Sequence, residues 1–123
     1  MADQQPPQDR IALAYYYIWF QAEFWPTRPG QGRGALEDVR PLLGPYDSAD
    51  PGVIAAHVDM AKRARLDAFA VSWFHAAEWT EKLEKVIEVA SRRGLKICID
   101  LEGQGRSLDE MHEALSYYLK TYK

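Results

Sequence analysis

The chain has 123 residues, which is enough for one domain with a modest core. Apolar residues make up 47% and charged residues 27%, a composition typical of a folded globular protein and not of a disordered one. The net charge of −3 argues against nucleic-acid binding, which requires a basic face, and a single cysteine, Cys98, excludes an intrachain disulfide.

The first nine residues are polar and proline-rich, so we expect a flexible tail there and one domain over residues 10–123. They hold no apolar signal-peptide core, and no apolar run approaches the ~20 residues that cross a bilayer. These observations favour a cytoplasmic protein without membrane contact, with a removed leader as the alternative.

Three apolar segments predict strands, at residues 11–17, 67–73 and 95–101, and the first is a continuous apolar and aromatic run typical of a buried parallel strand. Residues 26–45 hold four glycines and four prolines and predict a long loop.

Helices are predicted between and after the strands. Asp50 is placed to cap a helix that begins at Pro51 and runs to about residue 65, with Ile54, Val58 and Ala61 buried. Thr80 is the predicted cap of the second helix, and Gly94 its left-handed end. Ser107 and Glu110 form a capping box for a third helix, which carries five apolar residues: Leu108, Met111, Leu115, Leu119 and Tyr122.

The alternation of strand and helix predicts an α/β fold with a parallel sheet and right-handed crossovers. An eight-stranded β/α barrel usually needs ~250 residues. The chain therefore represents either three β/α units of a partial barrel, with helices on one face of the sheet, or a small open three-stranded sheet.

Aromatic and acidic residues follow the predicted strands, at the edge where parallel α/β folds gather functional groups. They are Tyr16, Tyr17, Trp19 and Phe20, then Trp73 and His75, then Asp100 and Glu102. Aromatic rings can stack on a sugar and carboxylates can bind its hydroxyls, so the combination favours a carbohydrate site. Glycoside hydrolysis itself normally needs two carboxyl groups. Each residue has a structural alternative: Tyr15–Tyr17 and Trp73 as core, Glu102 as a partner of the third helix dipole, and His57 as a packing residue.

Other motifs give weaker signals. Gly30–Gly34 lies in a long loop, so a dinucleotide site is not expected. Gly103–Ser107 precedes a helix and fits a plain tight turn better than an anion site. No metal-ligand spacing and no Ser/His/Asp triad is recognisable, so we expect neither metal nor cofactor.

Four segments together resemble the N-terminal third of glycoside hydrolase family 99, which includes endo-acting α-mannosidases on a (β/α)₈ barrel. They are Tyr15–Phe20, Leu43–Pro51, Phe69–Trp73 and Ile97–Glu102, and the resemblance extends from about Ile11 to Lys123.

The resemblance implies that Tyr17, Tyr46 and Trp73 line a sugar cleft and that Glu102 is an acidic residue of the active site. We add Trp19 and His75 as candidate substrate contacts, and take Glu102 as the candidate catalytic residue. The family has Pro-Tyr after this glutamate, where the chain has Gly103 and Gln104. The family's main catalytic carboxylates lie in a later Asn-Glu segment that nothing in the chain matches.

Two hypotheses follow: an incomplete glycoside-hydrolase site, or a non-catalytic remnant that binds α-mannosides and associates with itself. Alternation backward from Trp73 predicts that Val71 and Phe69 lie on the sheet face turned away from the helices. Without further strands they would be bare, so we expect a homo-oligomer.

Overall fold

The computed structural model describes residues 10–26 and 39–122. Its elements are β1 (Leu13–Tyr17), α1 (Pro51–Arg63), β2 (Ala68–Trp73), α2 (Ala77–Arg93), β3 (Lys96–Leu101) and α3 (Leu108–Thr121), with a short 3₁₀ turn at Ala22–Phe24. The predicted tail and the glycine cluster Gly30–Gly34 lie outside the described residues.

The three strands form one parallel sheet in the order β1-β2-β3. This confirms the predicted α/β fold and its strand order. Because β2 lies in the centre, all six of its residues are buried, whereas β1 alternates between exposed and half-buried positions. The first strand is therefore an edge strand, and the prediction that it is buried was wrong.

The helix ends follow the sequence closely. The side chain of Asp50 accepts from the Gly52 amide, Pro51 occupies the first turn, and Gly94 ends α2 with a φ of 75°. The capping box of Ser107 and Glu110 is present in full. Thr80 does not cap α2, because the helix begins at Ala77 and Thr80 already lies in its first turn.

The core lies between the sheet and the helices. Phe69, Val71 and Trp73 of β2 pack there against α1 and α2, whose buried residues are Ile54, Val58, Ala61, Leu83, Val86 and Ala90. The prediction that Phe69 and Val71 would be bare was wrong, because they are only 5% and 0% exposed. Phe69, Val71 and Trp73 do share one face of β2, as predicted, but that face is turned toward the helices.

Trp73 fixes that orientation. Its side chain is fully buried, and its indole N–H donates to the Thr80 hydroxyl at 3.3 Å. Rings of Tyr117 and Tyr118 from α3 lie 6.3 and 6.1 Å from it. The opposite face of β2 carries small residues, and Ser72 there donates to Asp100 of β3 at 3.4 Å.

A polar contact also joins α1 to β1, as the Trp73–Thr80 hydrogen bond joins α2 to β2. The Tyr16 hydroxyl and Nδ1 of His57 are 2.9 Å apart, and Tyr16 stacks on Phe69 at 4.4 Å. His57 is thus a packing histidine, as expected, and its partner is a tyrosine 41 residues away. Burial lowers the pKa of His57 and, together with nearby Tyr46, raises that of Tyr16.

Replacing Thr80 with valine is expected to destabilise the fold by ~1–3 kcal/mol, because the buried indole N–H of Trp73 loses its acceptor at nearly constant volume. The free energy of unfolding from urea titration measures this loss. Thr121→Val, at an exposed position near the end of α3, is the matched control and should change the value little. Equal effects of the two variants would contradict the assigned role of Thr80.

The lowered pKa of His57 predicts a stability that falls in acid. Below pH ~6.5 the unfolded chain takes up a proton that the folded chain resists, so the free energy of unfolding drops as the pH falls further. His57→Gln should flatten this dependence between pH 7.5 and 5.5 in urea titrations. His112→Gln removes an exposed histidine and should leave the wild-type slope. A slope unchanged in His57→Gln would contradict the prediction.

Candidate functional site

The parallel sheet brings the carboxyl ends of its three strands to one edge. The segments that leave this edge are residues 18–20, 74–76 and 102–107. The pairing continues one step past the strands, since the Glu102 amide donates to the Trp73 carbonyl at 2.9 Å. The aromatic and acidic residues gather at this edge because all three strands end there.

Four rings form a continuous row along this edge, which we call the rim band: Tyr17, Trp19, Trp79 and Phe74. Tyr17 stacks on Trp19 with centroids 4.6 Å apart, and Trp19 lies 5.5 Å from Trp79. Trp79 in turn lies 4.3 Å from Phe74. Tyr17 is 43% exposed and the other three rings are half-buried, so the row has faces and edges open to a ligand.

Beyond Phe74 the row leads to a polar cavity of about 300 Å³, the rim pocket. The Arg106 guanidinium lies 3.8 Å above the Phe74 ring. His75, exposed on the opposite wall, stacks on Tyr117 at 4.2 Å. The pocket is lined by Phe74, His75, Glu102, Arg106, Glu110, Met111, Glu113 and Ala114. It therefore combines an aromatic wall with carboxylate acceptors and a cation.

The glycine segment below this pocket is a tight turn. Gly105 has a φ of 74°, and the Arg106 amide donates to the Gly103 carbonyl at 3.1 Å. The capping box bonds two amides at this helix end: the Ser107 amide donates to the Glu110 carboxylate at 3.0 Å, and the Glu110 amide donates to the Ser107 hydroxyl at 3.2 Å. A carboxylate of the chain thus occupies the place that an external anion would take.

A second cavity, of about 430 Å³, lies between β1 and α1 and is mainly apolar; we call it the β1 groove. Tyr17, Phe20 and Tyr46 line its upper part. The Tyr46 ring lies 5.2 Å from the His57 ring and 5.0 Å from Trp25, and its burial raises the pKa of its hydroxyl. Tyr17 belongs to both features, so it links the β1 groove to the rim band.

The structure divides the predicted site residues among these features. Tyr17 and Trp19 lie together in the rim band, and His75 and Glu102 share the rim pocket. Tyr46 lines the β1 groove. Trp73 is fully buried under α3 and presents no surface to a ligand. Tyr46, Trp73 and Glu102 therefore do not converge on one cleft in the described part of the chain.

Three residues of this edge escaped the sequence analysis: Phe74, Trp79 and Arg106. Phe74 directly follows Trp73, and Trp79 lies in the first turn of α2. Arg106 lies in the Gly103–Ser107 segment, which the sequence predicts as a tight turn. These three residues are identified by their contacts with aromatic rings in the folded structure, which their spacing in the sequence does not predict.

Among residues 10–26 and 39–122, no group of three or more His, Cys, Asp or Glu is arranged to hold a metal ion. Within the same residues, no helix has both the length and the apolar character needed to cross a membrane.

Comparison with known proteins agrees with the fold. The family model of glycosyl hydrolase family 99 matches residues 27–123. A glycoprotein endo-alpha-1,2-mannosidase of Rattus norvegicus is 26% identical over 98% of the chain, which spans 33% of that protein. A glycoprotein endo-alpha-1,2-mannosidase-like protein of Danio rerio is 28% identical over 67% of the chain and 20% of its own length.

Among solved structures, the GH99 endo-alpha-mannosidase from Bacteroides thetaiotaomicron in complex with bis-tris-propane superposes with a TM-score of 0.72. The match has 26% sequence identity and covers 91% of the chain and 36% of the bacterial one. The chain thus spans about a third of the length of the rat and bacterial relatives. The parallel β/α units, with aromatic and acidic residues at the carboxyl ends of the strands, agree with the family match over residues 27–123. The chain belongs to glycosyl hydrolase family 99.

Proposed function

We propose that this chain forms a glycan-binding wall of a family 99 barrel and binds α-mannosides along the rim band, with Glu102 directed at the bound sugar. The observation that carries the proposal is the row of rings from Tyr17 to Phe74, which ends at a pocket containing Glu102 and Arg106. The named activity of the rat and bacterial relatives supports an α-mannoside as the ligand.

The chemistry of this edge suits a sugar. Aromatic rings cover the C–H faces of a pyranose, while charged and polar groups at the end of the row hydrogen-bond its hydroxyls. No hydrogen bond or ion pair to the Glu102 side chain occurs within the described residues, so its oxygens remain available to a ligand. Of the other carboxylates in the pocket, Glu110 is bonded to the Ser107 amide.

We further propose that the 123 residues bind the glycan without cleaving it. Hydrolysis requires two carboxyl groups that flank the scissile bond, and the one carboxylate that the resemblance carries to this edge is Glu102. Retained hydrolysis is the alternative, in which Glu102 acts together with another acid of the rim pocket.

Trp19→Ala is expected to weaken binding of α-1,2-linked mannotriose roughly five- to tenfold, because the ring in the middle of the row is lost. Isothermal titration calorimetry measures the affinity. His112→Ala removes an exposed ring of α3 outside the rim band and should bind like the wild type. Cellotriose is the mismatched ligand, and equal binding of both sugars would contradict α-mannoside specificity.

The same samples distinguish binding from turnover. Release of mannose or mannobiose that is abolished in Glu102→Gln would replace the binding proposal with the enzymatic alternative. Binding without release, with Glu102→Gln weakened but folded, supports the proposal as stated.

We also propose that the chain associates with itself. β1 and β3 each have one strand neighbour in the described sheet, and β1 exposes Leu13, Tyr15 and Tyr17 on its open face. α3 exposes three leucines as well: Leu108, Leu115 and Leu119. Free strand edges beside exposed apolar side chains favour association.

Sedimentation velocity at micromolar concentration is therefore expected to show a dimer or a larger species. Tyr15→Lys places a charge on the open face beside the β1 edge and should shift the distribution toward monomer. His112→Lys, at an exposed position of α3, controls for the added charge. A folded wild-type monomer at this concentration would contradict the proposal.

A further inference from the structure

Ser48 is a buried polar residue in the loop that carries Tyr46. Its side chain is 1% exposed. Its hydroxyl accepts from the Phe20 amide at 3.1 Å, and its own amide donates to the Phe20 carbonyl at 2.9 Å. This reciprocal pair joins the loop to the segment that leaves β1, across 28 residues of sequence.

Besides the ring contacts of Tyr46, few hydrogen bonds attach the described part of this loop to the rest of the fold. Residues 41–49 form only turns and bends before α1 begins at Pro51. Asp47 closes a local turn by accepting from the Ala49 amide at 2.7 Å, which shapes the loop but does not attach it. Apart from the Ser48 pair, the hydrogen bond that attaches it is donated by the Trp25 indole to the Tyr46 carbonyl at 3.1 Å.

The attachment point matters because of what lies on either side of it. Phe20 follows directly after Trp19 of the rim band, and Ser48 lies two residues beyond Tyr46. The Phe20 and Tyr46 rings are 6.0 Å apart in edge-to-face contact. Ser48 therefore holds the β1 groove in register with the rim band through backbone atoms of Phe20.

We propose that Ser48 is a positioning residue for glycan binding, and that its hydroxyl sets the place of Tyr46 relative to Tyr17 and Trp19. This inference rests on the proposed function and takes the glycan to extend from the rim band past Tyr17, which lines both features, to Tyr46 in the β1 groove. Ser48 acts through Tyr46 and does not touch the sugar, because its oxygen is buried and occupied by a backbone donor. A binding constellation keeps its affinity only when its supporting hydrogen bonds hold it to within about 0.5 Å.

Two indole resonances test the positioning without any ligand. In ¹H–¹⁵N spectra, the Trp25 indole reports the bond to the Tyr46 carbonyl, and the Trp73 indole reports the buried bond to Thr80. In Ser48→Ala the Trp25 signal should shift or broaden while the Trp73 signal stays in place. Ser91→Ala removes an exposed hydroxyl bonded to the Glu88 carbonyl of α2 and should move neither signal.

Affinity for α-1,2-linked mannotriose is the second measurement. Ser48→Ala should weaken it about tenfold, and Ser91→Ala should leave it unchanged. Ser48→Cys keeps the side-chain volume with a weaker acceptor, so an intermediate loss is expected. Ser48→Cys replaces Ser48→Ala in both measurements if the alanine variant loses the Trp73 signal and is therefore unfolded.

The outcomes separate the two proposals. Wild-type affinity in a folded Ser48 variant, or an unmoved Trp25 signal, overturns the positioning role of Ser48. If the wild type binds no mannotriose, the proposed function fails and with it the link to glycan binding. The Trp25 signal then still decides whether Ser48 positions Tyr46.

Discussion

The orientation of Trp73 is the constraint on which the rest of this structure depends. A buried indole N–H needs an acceptor, and Thr80 in the first turn of α2 supplies it. Once Trp73 faces the helices, strand alternation sends Phe69 and Val71 into the same core and turns Ser72 toward Asp100. The two faces of the sheet differ accordingly: the larger apolar side chains of β2 enter the core, and Ser72 faces the other way.

The sequence predicted the elements and their order because several helix ends have a local chemical signal. Asp50 with Pro51, Gly94, and the Ser107–Glu110 box act within a few residues, so they can be recognised without the fold. It did not predict which face of β2 meets the helices. Alternation relates Phe69, Val71 and Trp73 to one another, and these large apolar side chains are buried against the helices, where the Trp73 indole finds Thr80 seven residues on.

The candidate site also has a part that the sequence predicted and a part that it did not. Parallel topology correctly predicted that residues after the strands share an edge, and Tyr17 meets Trp19 there while His75 meets Glu102. Tyr46 reaches the region by a different route, through a loop fixed by Ser48 and Trp25. Long-range hydrogen bonds of this kind join residues more than 20 apart, and no periodicity in the chain reports them. Trp79 belongs to the rim band for a similar reason, since its ring neighbours Trp19 and Phe74 come from two different segments.

The helix α3 contributes residues both to the core and to the rim pocket. Its sequence offers two apolar stripes, and the helix packs by Ala114, Tyr117 and Tyr118, leaving Leu108, Leu115 and Leu119 exposed. The tyrosine face is selected because flat rings can cover the indole of Trp73. That choice also turns Met111 toward Gly103, where a Cβ would lie 2.9 Å from the methionine methyl carbon. Glycine after Glu102 thus leaves room for Met111 to line the rim pocket, so the face by which α3 packs on Trp73 also shapes the surroundings of Glu102.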